Sequence, residues 1–272
     1  MTAEVPRARA TLDTTAPNQA RIANYVLGGK DNFAADREAA EEILAIAPEI
    51  RVMAREGQDF HARAVRYMAE QGITQFVNIG AGIPSESNTH QIARSVTPDA
   101  RVVYVSEDPV VLSHSRALLA TDSNIGVVEG EIMRPAELMA DPGLRRFIDV
   151  SSPVGIVIMS SLQFIPHEDD PYKRVAELRD LLPVGSHLMI VHAVFDSRPE
   201  AVGPIVDVYR RVFGRVEDAS RNRAQVLGFF DGMELVEPGL VYIRLWRPEN
   251  PLKVRNPEKA WLVGGVARKP AP

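Results

Sequence analysis

Five short, nearly continuous apolar runs separated by helix-length segments constrain the fold of this chain more than any other feature. They are QFVNIG at 75–80, RVVYVS at 101–106, IGVVE at 125–129, VGIVIMS at 154–160 and HLMIVHA at 187–193. A strand with one wet face alternates apolar and polar residues, whereas a strand that is apolar throughout is covered on both faces. Segments 88–96, 109–120, 135–148 and 169–182 supply the covering helices, and right-handed crossovers stack the strands into an open, twisted, mostly parallel sheet. Later helices are predicted over 201–213 and 221–230. At the end, LVYIRLW (240–246) and WLVGGVA (261–267) are joined by a polar, proline-containing connection with no helix-length segment, which predicts an antiparallel pair.

The stretch before the first strand reads differently. Residues 1–17 are rich in Ala, Thr, Pro and Arg and read as a flexible tail. From Asn18 the pattern is helical: Ile22, Tyr25 and Val26 form an apolar stripe that stops at Gly28-Gly29. A second helix is predicted to begin near Asp36, as its cap, and run toward Ala47. A third runs from Pro48, in its first turn, to Gln71, with Met53, Phe60, Ala64, Val65 and Met68 on one face. Residues 18–72 are therefore expected to form a helical cap integral to an α/β core spanning 73–272.

Composition excludes several classes of chemistry. The chain has 272 residues and no cysteine, which removes disulfides, thiolate nucleophiles and cysteine-based metal sites. A net charge of −5 gives no general reason to expect nucleic-acid binding. The start, MTAEVPRARATLDTTAP, lacks the apolar stretch of a secretory signal, and no run approaches transmembrane length. The expectation is a soluble cytoplasmic protein, monomeric or homodimeric, without nucleic-acid or membrane partners.

The most informative loop is NIGAGIPSESN, between the first strand and the next helix. Glycines there let the backbone approach a ligand, and the loop and helix start present N–H donors. In an open α/β sheet a ligand lies across the C-terminal strand ends. Ser85 takes the place of the third glycine of GxGxxG, and no GKS or GKT follows, so neither a standard dinucleotide fingerprint nor a P-loop is present. The second strand ends in Ser106-Glu107-Asp108-Pro109. Glu107 or Asp108 is a candidate acceptor for two ribose hydroxyls, with Asp108 equally suited to capping the helix that Pro109 opens. Glu131, after the third strand, is placed to accept from a purine amino group or to remain a solvated loop charge.

The stretches RIANYVLGGKDNFAADREAAEEI, QFVNIGAGIPSESNTHQIA, ARVVYVSEDPVVLSHSRALL, SLQFIPHEDDP and GGVARKP together resemble a known group. This is the actinobacterial S-adenosylmethionine (SAM)-dependent methyltransferase-like family once catalogued as a domain of unknown function. The resemblance implies a class I SAM-methyltransferase-like, Rossmann-like fold: a seven-stranded sheet with its last strand antiparallel, plus the N-terminal helical cap. It implies SAM over Gly80 and Gly82, ribose at the end of the second strand and adenine near Glu131. Asp31, Asn32, Phe33 and Asp36 would close part of the substrate side. Three positions depart from the family pattern. Asn78 stands where Asp is common, Ser106 followed by Glu107 stands at another Asp position, and Gln163 replaces a common His. Asn78 removes a carboxylate that would organise the loop or attract the cationic methionyl part of SAM. Ser106 cannot match a carboxylate's paired acceptor oxygens.

Methyl transfer from a sulfonium needs alignment and matched electrostatics rather than a metal or a covalent intermediate. Gln163 and His167, flanking the exit of the fourth strand, are the candidate catalytic residues, with His167 able to serve in acid–base work or in a surface or packing role. His90 and His192 are more simply structural. Tyr25 and Phe33 are candidates for an aromatic lid or for core packing. HEDD (167–170) lacks a complete metal constellation, and Asp169 or Asp170 suits the start of a helix better. The function expected is methyl transfer from SAM to a small molecule; ligand sensing without catalysis, or a repurposed non-methyl-transfer activity, is the alternative.

Overall fold

The structure, a computed structural model, describes residues 13–85, 87–119, 122–213 and 219–271. Of the tail predicted over 1–17, residues 1–12 lie outside this set. The central strand β1 (Gln75–Ile79) pairs in parallel on both edges, with β2 (Arg101–Ser106) and with β4 (Gly155–Met159). β3 (Ile125–Glu129) continues the sheet beyond β2, and β5 (His187–Ala193) continues it beyond β4. All five predicted parallel strands are therefore present. Successive residues feed opposite faces: Phe76, Val102, Tyr104, Val157 and Met189 join one apolar core, while Val77, Val103, Val105, Ile156 and Ile158 join the other.

The far edge differs from the expectation. β8 (Leu262–Arg268) lies antiparallel against β5, as predicted for the last strand. Its outer edge carries two short strands instead of one, β6 (Glu234–Leu235) and β7 (Val241–Tyr242), so the sheet has eight strands rather than seven. Leu235 faces Ala267 whereas Val241 faces Gly264, so six steps along the edge match three along β8 and the residues between bulge outward. Pro238 sits in that bulge and has no N–H for a ladder. LVYIRLW is thus a strand only at Val241–Tyr242, and Ile243–Leu245 turn into a 3-10 helix. The Arg63 side chain donates to the carbonyls of Ile243 (2.8 Å) and Trp246 (3.0 Å), replacing the ladder the strand would have offered. Trp246 is buried edge-on against Phe60, with ring centroids 5.3 Å apart.

The helices follow the sequence with local corrections. α1 (Gln19–Val26) is capped by Asn18, whose side chain accepts from the N–H groups of Ala20 and Arg21, and the chain turns after it at Gly28, φ +87°. α2 spans Ala34–Ile46, so Asp36 lies inside its first turn rather than at its cap. α3 spans Ile50–Glu70, leaving Pro48 just ahead of it, and lays Phe60, Ala64, Val65 and Met68 on the sheet. α4 (Thr89–Arg94) and α5 (Pro109–Leu119) follow β1 and β2. The helix predicted over 135–148 is broken into α6 (Pro135–Ala140) and α7 (Pro142–Arg145), because Asp141 accepts from the Leu144 N–H and starts a new helix with Pro142. In α8 (Pro171–Leu181) the cap is Asp170, at φ +50°. α9 (Pro199–Phe213) and α10 (Arg223–Leu227) complete the set. Among the described residues no helix is long and apolar enough to cross a membrane.

One buried ion pair ties the N-terminal helices together. Asp36 is fully buried and accepts from Arg21 Nε (3.1 Å) and from the N–H groups of Asn18 and Phe33 (both 2.8 Å). The Arg21 guanidinium also donates to the carbonyls of Asp13 and Ala16 and lies over the Phe33 ring. Beside it, Ile22, Val26, Ala39, Ala40, Ile43 and Leu44 pack with Val208 of α9. Removing one partner of such a pair leaves a buried, uncompensated charge, so Asp36→Ala is expected to cost about 3–5 kcal/mol. Urea unfolding followed by circular dichroism measures it. Burial also holds two core histidines neutral: desolvation lowers His61 from 6.5 to about 4, and it is the largest cause lowering His192 to about 3. Above pH 6.5 neither state is charged. As the pH falls below that, the unfolded chain takes up protons that the folded chain refuses. Stability should therefore drop from pH 6.5 toward pH 4, by about 1.4 kcal/mol per unit for each histidine. Urea midpoints at pH 7.5 and pH 5 test this.

Candidate functional site

The crevice lies where β1, β2 and β4 end. After Ile79 the chain leaves the sheet at Gly80, φ +71°, and a side-chain Cβ added there would sit 2.7 Å from Ser161 Cβ. Only glycine allows this exit to close on the exit of β4. Gly82 is different, since a Cβ there would meet nothing within 4 Å. Ala81 N–H donates to Val105 O at 2.9 Å and fastens the loop to β2. Opposite, Ser160 holds φ +57°, a sparsely populated conformation for a non-glycine residue of the kind that gathers at functional sites. Its N–H is bonded to Val191 O.

The predicted residues fall into two groups. Asn78, Gly80, Gly82, Ser106, Glu107, Asp108 and Glu131 are brought to the exits of the first three strands. Ser106 is buried and its Oγ accepts from Asp108 N–H at 3.2 Å. Asp108 accepts from the N–H groups of Val110 (2.7 Å) and Val111 (2.9 Å), so its carboxylate caps α5. Glu107 is exposed at the end of the same strand. Glu131 pairs with Arg134 at 3.0 Å.

On the other side of the crevice, Gln163 lies in a 3-10 turn, Leu162–Phe164, after β4, and its Oε1 accepts from Ala193 N–H at 2.9 Å. His167 is exposed, its Nε2 lying 3.0 Å from Ser220 O. A carbonyl only accepts, so Nε2 carries the ring proton and the neutral ring's lone pair sits on Nδ1. His192 is buried with Nδ1 2.6 Å from Ala193 O, a structural position.

Most of the cap residues are engaged within the protein. Tyr25 OH donates to Glu41 (2.6 Å), and Phe33 underlies the Arg21 guanidinium. Asn32 is buried and donates to Asn24 Oδ1 (2.9 Å) and Gly29 O (3.0 Å). Asp31 is exposed, with a carboxylate oxygen 4.0 Å from His114 Nδ1, so the connection between α1 and α2 touches α5. Among the described residues no group of three His, Asp or Glu side chains is arranged to hold a metal ion. An open cleft of about 380 Å³ lined by Glu56, Asp59, Arg63, Arg244 and Arg255 includes none of the glycine-loop residues.

Beneath the loop lies a buried polar cluster that sequence reasoning missed. Thr89, the first residue of α4, is buried; its Oγ1 receives Asn78 Nδ2 at 3.1 Å and lies 3.0 Å from His61 Nε2 of α3. Tyr104 OH meets the backbone N–H (3.1 Å) and ring Nδ1 (2.8 Å) of His90. Asn88, just before α4, closes the loop by exchanging two hydrogen bonds with the backbone of Ser85. The one signal in the sequence is a polar residue, Asn78, set between the apolar Val77 and Ile79 of β1.

The geometry agrees with the comparisons. A DUF574 family protein from Streptomyces avermitilis superposes with a TM-score of 0.89 at 37% identity, covering 95% of this chain and 99% of the other. A protein from Thermobifida fusca, provisionally described as a methyltransferase, gives 0.86 at 37% identity, covering 95% and 97%. The plantazolicin methyltransferase BamL, at 12% identity and a TM-score of 0.52, shares the fold over 92% of this chain and 95% of its own. No protein of curated function matches the sequence. The family described as S-adenosyl methyltransferase matches residues 6–270, and the chain belongs to it.

Proposed function

We propose that this protein binds SAM in the crevice at the ends of β1, β2 and β4 and transfers its methyl group to a small molecule. The observation that carries the reading is the pair of glycines: Gly80 lets the loop close on Ser161, and Gly82 leaves open space above it. A cradle that a side chain would narrow suits a ligand lying against the backbone. The residues fit the cofactor. Asn78, Gly80 and Gly82 hold its methionyl part, Ser106 and Glu107 its ribose, and Glu131 its adenine amino group. Asp108 caps α5, and Glu107 stands beside it at the end of the same strand, where the ribose hydroxyls would lie.

Bound SAM supplies an electrophilic methyl carbon on a positively charged sulfur; everything else must come from side chains. His167, with Nε2–H given to Ser220 O, offers Nδ1 as the base for an acceptor that must lose a proton. Gln163, committed to Ala193 N–H, sets the spacing between the exits of β4 and β5. The connection carrying Asp31 closes the α5 side over the acceptor, while Tyr25, Asn32 and Phe33 keep that connection in shape. A second reading, a ligand sensor without turnover, draws support from the crevice groups already engaged within the protein: Ser106, Asp108, Glu131 and Gln163.

Calorimetric titration of cofactor-stripped protein with SAM and with S-adenosylhomocysteine (SAH) tests the core of the proposal. Saturable binding near one ligand per chain is expected, and no binding by folded protein would overturn it. Glu107→Ala should weaken both ligands about tenfold or more, as loss of a charged hydrogen-bond acceptor does. Asp108→Ala should do the reverse, lowering stability by about 1 kcal/mol through the lost cap while affinity holds. Production of SAH in an acceptor screen separates the enzyme from the sensor.

A further inference from the structure

We propose that Thr89 is the positioning residue of the cofactor loop: its hydroxyl fixes the side chain of Asn78 and ties it, through His61, to helix α3 of the cap. The inference rests on the SAM-binding reading and adds a residue and a mechanism to it. The geometry around one hydroxyl carries the argument. Thr89 Oγ1 receives the Asn78 amide N–H at 3.1 Å and lies 3.0 Å from His61 Nε2. The second ring nitrogen of His61 meets no other group, so the ring proton belongs on Nε2 and is given to Thr89.

The remaining facts fit this wiring. His61 Nδ1 is buried without a partner, the less costly state for a bare lone pair than for an N–H. Burial keeps the ring uncharged, as a donor to a neutral hydroxyl requires. Thr89 Oγ1 meets two partners, one from β1 and one from α3, and so links the strand to the helix within a buried polar cluster. The consequence reaches the crevice. With its amide N–H spent on Thr89, Asn78 turns its carbonyl oxygen toward the loop, as a neutral acceptor for a donor on the methionyl part of the cofactor. Asn78 is also the one partly exposed residue of β1, so the network beneath it sets what the cofactor meets.

The test is a double-mutant cycle on SAH binding, read by calorimetry, with thermal unfolding measured in parallel. Thr89→Val keeps the shape and removes the hydroxyl; it should weaken SAH about tenfold, the equivalent of one hydrogen bond, and Thr89→Ser should restore wild-type affinity. If Thr89 acts through Asn78, then Asn78→Ala alone should weaken SAH equally, and adding Thr89→Val to it should change affinity no further. Additive losses, or full affinity in Thr89→Val, would overturn the proposal. Should Thr89→Val not fold, Asn78→Ala and nitrogen-15 NMR of the imidazoles decide: His61 must show the neutral Nε2–H form at pH 7, and the Nδ1–H form would refute the wiring. Failure of the wild-type protein to bind SAH would instead remove the SAM-binding reading, and this inference with it.

Discussion

The crevice exists because β1 is hydrogen-bonded in parallel on both edges. A strand in that position has no free edge and no wet face, so Phe76, Val77 and Ile79 are fully buried. Its one outlet is its C-terminal end. There the chain turns toward α4 while the neighbouring β4 turns toward its own 3-10 segment, and the space between the diverging chains is where an open α/β sheet offers a ligand crevice. The contact between Gly80 and Ser161 sets how close the two exits come. The fixed loop, the strained Ser160 backbone and the engaged Gln163 all trace back to that close approach.

Features that depend on local pattern were legible in the sequence. Near-continuous apolarity identified β1 to β5 because a strand covered on both faces leaves little room for polar residues. Gly28, Asn18 and Asp170 marked helix ends through their own backbone chemistry. What failed depended on partners distant in sequence. LVYIRLW is as apolar as a strand, yet Arg63, 180 residues before Ile243, takes the carbonyl groups that a ladder would have used. Asp36 has the composition of a helix cap but serves as the buried counter-ion of Arg21. Over 135–148 one helix was expected, and the Asp141-Pro142 pair divides it in two.

The site divides the same way. Glycines and strand-end carboxylates announced the crevice, because the fold places strand exits together whatever else varies. Their individual roles needed coordinates: Asp108 and Glu107 are neighbours, and the hydrogen bonds to Val110 and Val111 identify Asp108 as the cap of α5. Thr89 was invisible as a hub since its partners come from α3 and β1, and a threonine beginning a helix needs no special explanation.

These arrangements bear on the choice between catalysis and sensing. Engagement of Ser106, Asp108 and Gln163 within the protein counts against their direct chemistry, but methyl transfer from a sulfonium asks little direct chemistry of a protein. It asks that nucleophile, methyl carbon and sulfur be held in line. Side chains already fixed by the fold hold that line without reorganising as the reaction proceeds. An engaged Gln163 and a buried Thr89 network suit an alignment-driven transferase, and a sensor would use the same rigidity to report occupancy. The difference lies in access to a second molecule. Asp31, exposed beside His114 of α5, and His167, exposed after β4, are the polar side chains through which that access can be tested.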